Sequence, residues 1–89
     1  MDEYRELVKR LAGKTAEEII GILGQPARET GARKEDRLAD GVPWVVEIRR
    51  TLIYFDVGPT IHRLRVNERV DGQCELQMSV FPVGVFSST

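Results

Sequence analysis

The chain holds one histidine, His62, and one cysteine, Cys74. A thiolate–imidazole pair works only when the two side chains come within hydrogen-bond reach, and their spacing supports no such pair. Structural metal sites draw on four Cys or His ligands, which these two residues cannot supply. His62 reads as a sheet-edge residue facing Val80, and Cys74 as a small packing residue beside a turn. Gly13-Lys14-Thr15 has the ending of a phosphate-binding loop. That loop needs a glycine five residues before Gly13, where Val8 stands, and a preceding strand, where a helix is predicted. The triplet reads instead as one helix stop followed by one helix start.

Carboxylates are plentiful, among them Glu17, Glu18, Glu35, Asp36, Asp56 and Glu75. None stands in a pattern that compels a general acid/base pair, and no glycine-rich loop or nucleophile elbow is present. The sequence therefore predicts no catalytic residue, no cofactor and no metal.

The arginines are the more informative residues. Arg49, Arg63 and Arg65 are predicted to share one outer sheet face with Glu47, Glu75 and Gln77. A planar guanidinium grips a carboxylate or phosphate at two points. The face reads as a solvated surface of cross-strand ion pairs, as a partner-binding surface, or as a nucleic-acid or anion site. At one end it gains Ile53, Phe55 and Ile61. The tail adds Phe81, Val83, Val85 and Phe86, which fold back as a fourth strand, cover the end of the sheet, or are buried by a second copy. The candidate partner-binding residues are Arg49, Arg63, Arg65, Gln77, Phe55, Ile61, Phe81 and Phe86.

These residues need elements to position them. Tyr4, Leu7, Val8 and Leu11 fall on one helical face and predict a helix over 2–12, with Asp2 as N-cap and Gly13 as stop. Thr15-Ala16-Glu17-Glu18 has capping-box spacing. Ala16, Ile19, Ile20 and Leu23 repeat the apolar stripe, predicting a helix over 16–23 ended by Gly24 and Pro26. Residues 27–43 are polar without clear period and read as a long loop, with Asp40-Gly41 and Pro43 marking turns. Strands are predicted over 44–55, 60–69 and 73–81.

Register follows from hairpin chemistry. A two-residue turn at Asp71-Gly72 would set Val66 against Gln77 and Leu64 against Ser79. A three-residue loop, Val70-Asp71-Gly72, with Gly72 left-handed sets Val66 against Leu76, Leu64 against Met78 and Glu68 against Cys74. Apolar then meets apolar, which selects the second register. The face predicted to receive the helices carries Val46, Ile48, Leu52, Tyr54, Leu64, Val66, Leu76, Met78 and Val80. Burying each such side chain contributes roughly 1.5–3 kcal/mol before entropy is counted. Arg50 falls on this face by alternation, so it lies at the rim with its stem buried or a bulge shifts the register there.

Composition sets the outer limits. Eighty-nine residues make one domain, and 42% apolar with 30% charged residues is the balance of an ordered globular chain. A net charge of -1 argues against a bulk basic coat for nucleic acid and leaves a local basic patch open. A lone cysteine permits no intramolecular disulfide and favours the cytoplasm. The opening MDEYRELVKR has no apolar core of a signal peptide. No apolar run approaches the length of a membrane span.

The stretch Gly13-Lys14-Thr15-Ala16-Glu17-Glu18-Ile19-Ile20-Gly21-Ile22-Leu23-Gly24-Gln25-Pro26 resembles the short-helix signature of the SmpA/OmlA lipoproteins and the β-lactamase-inhibitor-protein-like fold. In that group a capped helix ending in Leu-Gly-x-Pro precedes a meander of strands. The resemblance implies a helix pair on one face of an antiparallel sheet, with the other face free to meet a protein. The chain departs from the lipoproteins in having no cysteine near its N-terminus to carry lipid, and from secreted inhibitor domains in having no paired cysteines. No individual binding residue is carried over.

The expectation is thus an α+β protein, two short N-terminal helices packed on one face of a three- to four-stranded antiparallel β-meander. Its expected role is that of a non-catalytic protein-interaction module, binding a protein partner or itself through the outer sheet face and apolar tail. A nucleic-acid or anion-binding protein using Arg49, Arg63 and Arg65 is the alternative, and a small enzyme with an unrecognised site is a third. No membrane partner is expected.

Overall fold

Acidic residues open the first helix and basic residues close it, as the helix dipole favours. In the computed structural model, which describes residues 3–80 and 84–88, this helix is α1, Glu3–Leu11, with Glu3 and Glu6 in its first turn and Lys9 and Arg10 in its last. Leu7 and Leu11 are buried, with Tyr4 and Val8 packed against the same core. The Asp2 cap lies outside the described residues. Gly13 takes φ +73°, the left-handed stop.

Helix α2, Ala16–Leu23, starts with the full capping box. The Glu18 amide donates to the Thr15 hydroxyl at 3.2 Å, and the Thr15 amide donates to the Glu18 carboxylate at 2.9 Å. Gly24 closes the helix with its amide on the Ile20 carbonyl at 2.7 Å.

The sheet has more strands than the predicted meander. In chain order they are β1, Arg28–Thr30; β2, Arg33–Ala39; β3, Val42–Phe55; β4, Ile61–Arg69; β5, Cys74–Val80; and β6, Gly84–Ser88. All pairings are antiparallel, in the order β1–β3–β4–β5–β6, with β2 also on β3. The loop predicted over 27–43 is therefore corrected: it holds two strand segments that flank β3. Asp40 at φ 52° and Gly41 at φ 77° form the two-residue turn into β3. That turn was legible, but the strand before it was not. Its side chains are charged and find partners far away in the chain rather than apolar neighbours nearby. The tail folds back within the chain over β6, with Phe86 at the register position opposite Met78.

The β4–β5 register is the predicted one, with Val66 opposite Leu76, Leu64 opposite Met78 and Glu68 opposite Cys74. Gly72 at φ 91° makes the three-residue loop possible. Its amide reaches the Arg69 carbonyl at 2.9 Å, and the Arg69 amide reaches the Gln73 carbonyl at 2.9 Å.

Two register shifts change which face some residues occupy. The first lies in β3 between Ile48 and Arg50. Arg50, Leu52 and Tyr54 keep to the helix side, but Val46 and Ile48 cross to the outer face. Ile48 stands opposite both Arg69 and Arg33, and Arg33 reaches the outer-face side chains of Thr51 and Asn67. The second shift lies in β4 between Ile61 and Arg63. It turns Ile61 into the helix-side core and sets Ile61, not His62, opposite Val80. The expected places of Val46, Ile48, Ile61 and His62 are corrected by these bulges, since one extra residue reverses strand parity.

The helix-side core joins Leu7, Leu11, Ala16 and Ile19 to Leu52, Tyr54, Ile61, Leu64, Val66, Leu76 and Met78. At its rim Arg50 holds three carboxylates: Glu68 at 2.7 Å, Glu29 at 3.0 Å and Glu17 at 2.6 Å. It thereby ties α2 to β1 and β4. Tyr54 donates to the Gly24 carbonyl at 2.8 Å, fixing the end of α2 on the sheet.

Candidate interaction site

The outer sheet face divides into a closed half and an open half. The closed half begins with the alternation Arg33-Lys34-Glu35-Asp36-Arg37 on β2, which aims Arg33, Glu35 and Arg37 to one side. Arg33 donates to Thr51 at 2.7 Å, to Asn67 at 3.3 Å and to Glu35 at 2.6 Å. Arg37 donates to both oxygens of Glu75, at 3.1 and 2.8 Å, and to Glu35 at 2.7 Å. The Thr51 hydroxyl donates to Asn67 at 2.7 Å. Thr51, Asn67 and Glu75 are buried.

This network requires a curled sheet. In a flat one, β2 and β5 stand three strand spacings apart, about 14 Å. The Arg37–Glu75 contact closes that gap. The bulge at Ile48–Arg50 provides the bend, and the hairpin of β2 with the first half of β3 forms an arm folded towards the outer face.

Two arginines and two glutamates make the closed half neutral. The Arg37 guanidinium, with help from Arg33, holds the Glu35 carboxyl below its ordinary range. Glu75, then Glu35, pushes the Arg37 pKa further up. The closed half thus satisfies its own charges.

The open half is built from β3, β4 and β5. Across the strands, Phe55, Arg63 and Ser79 form one row, and Ile53, Arg65 and Gln77 form the next. Among the described residues, the ion pairs take in Arg33, Arg37, Arg50 and Arg69 but neither Arg63 nor Arg65. The Nε of Arg65 is buried and meets no acceptor there. Phe55 is exposed, its ring tilted beside that of His62 at 6.3 Å between centroids.

The predicted three-arginine face is therefore divided. Arg63, Arg65, Gln77 and Phe55 come together. Arg49 sits at the bulge, four positions along β3 from Ile53, and donates to the Val70 carbonyl at 3.2 Å. Ile61 is in the core. Phe81 lies outside the described residues.

Sequence reasoning missed Arg33, Glu35, Arg37 and the arm they build. The available signal was Asp40-Gly41, a strong two-residue hairpin pair, preceded by charges of alternating side. The arm's far end carries Leu38, Val42, Val45 and Trp44, exposed at 76%, 63%, 56% and 42%. Asp36, Arg37, Leu38, Pro43, Trp44 and Val45 line an open groove there. Pairing of β3 with β4 stops at Ile48, so this end projects beyond the rest of the sheet.

On the helix side, burial first and the Glu68 charge second push the Cys74 thiol up to about 11. Such a thiol is scarcely ionised near neutrality and is a poor nucleophile. Among the described residues no group of three or more His, Cys, Asp or Glu side chains is arranged to hold a metal ion, and no helix is long and apolar enough to cross a membrane. No known protein family matches the chain, and neither a curated protein nor a solved structure matches it.

Proposed function

We propose that this chain is a non-catalytic protein-interaction module whose main contact is the projecting end of the β2–β3 arm. One observation carries the reading: both faces of the hairpin end are apolar and exposed, with Leu38 and Val45 on one side and Val42 and Trp44 on the other. An apolar patch with polar surroundings is the mark of a protein contact, and Trp is over-represented among residues that dominate such contacts. The open half of the outer face, with Phe55, Arg63, Arg65 and Gln77, extends the surface available to the partner. The likeness of residues 13–26 to the SmpA/OmlA signature supports the same division of labour, with helices on one face and binding on the other. The raised Cys74 thiol pKa disfavours that thiol as a nucleophile, and a lone thiol suits a reducing, cytoplasmic compartment.

The test uses Leu38→Lys and Val45→Lys, both surface changes. Light scattering over a concentration series reads self-association, and capture from a cell extract reads binding to other proteins. The wild type is expected to self-associate or to retain a defined protein, and the double variant to lose that behaviour while keeping its circular dichroism. A monomeric wild type with the same captured proteins as the variant would sink the reading.

A further inference from the structure

We infer that the open half of the outer face, Arg63 and Arg65 with Gln77 and Phe55, binds an extended acidic segment of a partner protein. The inference rests on the reading of the chain as a protein-interaction module, but it uses none of the arm residues.

The first argument is electrostatic. Besides Arg69, which pairs with Asp71, the outer face carries four arginines, Arg33, Arg37, Arg63 and Arg65. The first two are consumed by Glu35 and Glu75. The second two meet no carboxylate among the described residues, and the buried Nε of Arg65 has no acceptor. A donor without a partner leaves its hydrogen-bonding capacity unspent. The terminal guanidinium nitrogens of the pair are left for a ligand, and bidentate guanidinium–carboxylate bonds are among the strongest polar contacts a surface can make.

The second argument is spacing. Arg63 and Arg65 stand two residues apart on one strand, so their side chains leave the same face about 6.6 Å from each other. A peptide in extended conformation repeats its side chains at that same interval. Acidic residues at alternate positions therefore meet both arginines in register. Gln77, in the row of Arg65, supplies an amide that can both donate and accept. Phe55, exposed in the row of Arg63, supplies apolar contact for a neighbouring side chain.

Nucleic acid fits less well. Its binding draws on many phosphate contacts. Here the open pair numbers two in a chain whose net charge is -1.

The experiment is fluorescence anisotropy at low salt, with a blocked, labelled peptide alternating Glu and Thr. Controls are the same peptide with Gln for Glu, a labelled single-stranded oligonucleotide, and inorganic phosphate as competitor. The Glu peptide is expected to bind the wild type at least about tenfold more tightly than the Gln peptide. Arg63→Gln, at an exposed position, and the pair Arg63→Gln/Arg65→Gln should each abolish that preference. If the double variant fails to fold, Arg63→Gln alone decides the question. Equal binding of the two peptides, or unchanged preference in Arg63→Gln, overturns the inference. So does tighter binding of the oligonucleotide, or displacement of the peptide by phosphate at concentrations that leave ionic strength unchanged. Loss of the peptide preference with arm-dependent association intact would leave the broader protein-binding reading standing.

Discussion

The guanidinium of Arg37 on β2 holds the carboxylate of Glu75 on β5 by two hydrogen bonds, at 2.8 and 3.1 Å, although β3 and β4 lie between them in the sheet. Glu75 is 2% exposed. This contact bends the sheet across its outer face and holds the arm from which Leu38 and Trp44 project.

Arg37→Ala should destabilise the fold by about 3–5 kcal/mol, because it leaves the Glu75 charge buried and unpaired. Replacing both residues with apolar ones of similar size, Arg37→Met with Glu75→Leu, should recover most of the loss. Denaturant unfolding of the two single variants and the pair forms the cycle. Additive losses would show that the contact does not hold the arm.

Acid should loosen the arm through Glu35. Its folded pKa is held below the ordinary 4.5, chiefly by Arg37. A depressed carboxyl contributes stability that is fully present above its unfolded pKa and is lost as pH falls through the folded one. Thermal midpoints should therefore drop below about pH 4.5, and Glu35→Gln should drop less over that window. Parallel pH profiles for the two proteins would refute this role.

Arg50 binds three carboxylates, but they are not equal. Glu68 is buried beneath it, while Glu17 stands in solvent. A double-mutant cycle should give the Arg50–Glu68 pair a coupling clearly above the ~0.2–1 kcal/mol of an exposed pair. The Arg50–Glu17 pair should stay inside that range. The reverse order would place the structural anchor on α2 instead of β4.

Thr15→Ala removes the hydroxyl that caps α2 and should cost about 1 kcal/mol, read as a drop of about 4–8 °C in Tm for a domain of this size. Glu18→Ala should cost less, since the Thr15 hydroxyl still receives the residue-18 amide. Scanning calorimetry on both variants separates the two halves of the box.

Cys74 should react slowly with a maleimide near neutral pH. Its thiol is half-buried and pushed up to about 11, so little thiolate forms. Full denaturation should restore the rate of a free cysteine. Native and denatured rates that coincide would place the thiol in solvent.

The sequence by itself determined what depends on near neighbours. The Thr15–Glu18 box, the Gly13 and Gly24 stops and the stripes of α1 and α2 involve residues at most a few positions apart. The pairing of Leu64 with Met78 and Val66 with Leu76 follows from one loop length and the match of apolar partners. Tertiary structure decided what depends on parity and distance. A single extra residue near Arg49 moved Val46 and Ile48 to the outer face, and another near His62 turned Ile61 inward, because strand alternation reverses wherever the ladder slips by one. Residues 33–39 became a strand whose inward arginines find Thr51, Asn67 and Glu75, partners 18 to 38 positions away. No local pattern specifies such partners. The same folding left Arg63 and Arg65 side by side with no acid paired to them among the described residues, because the curl that satisfies Arg33 and Arg37 does not extend over them.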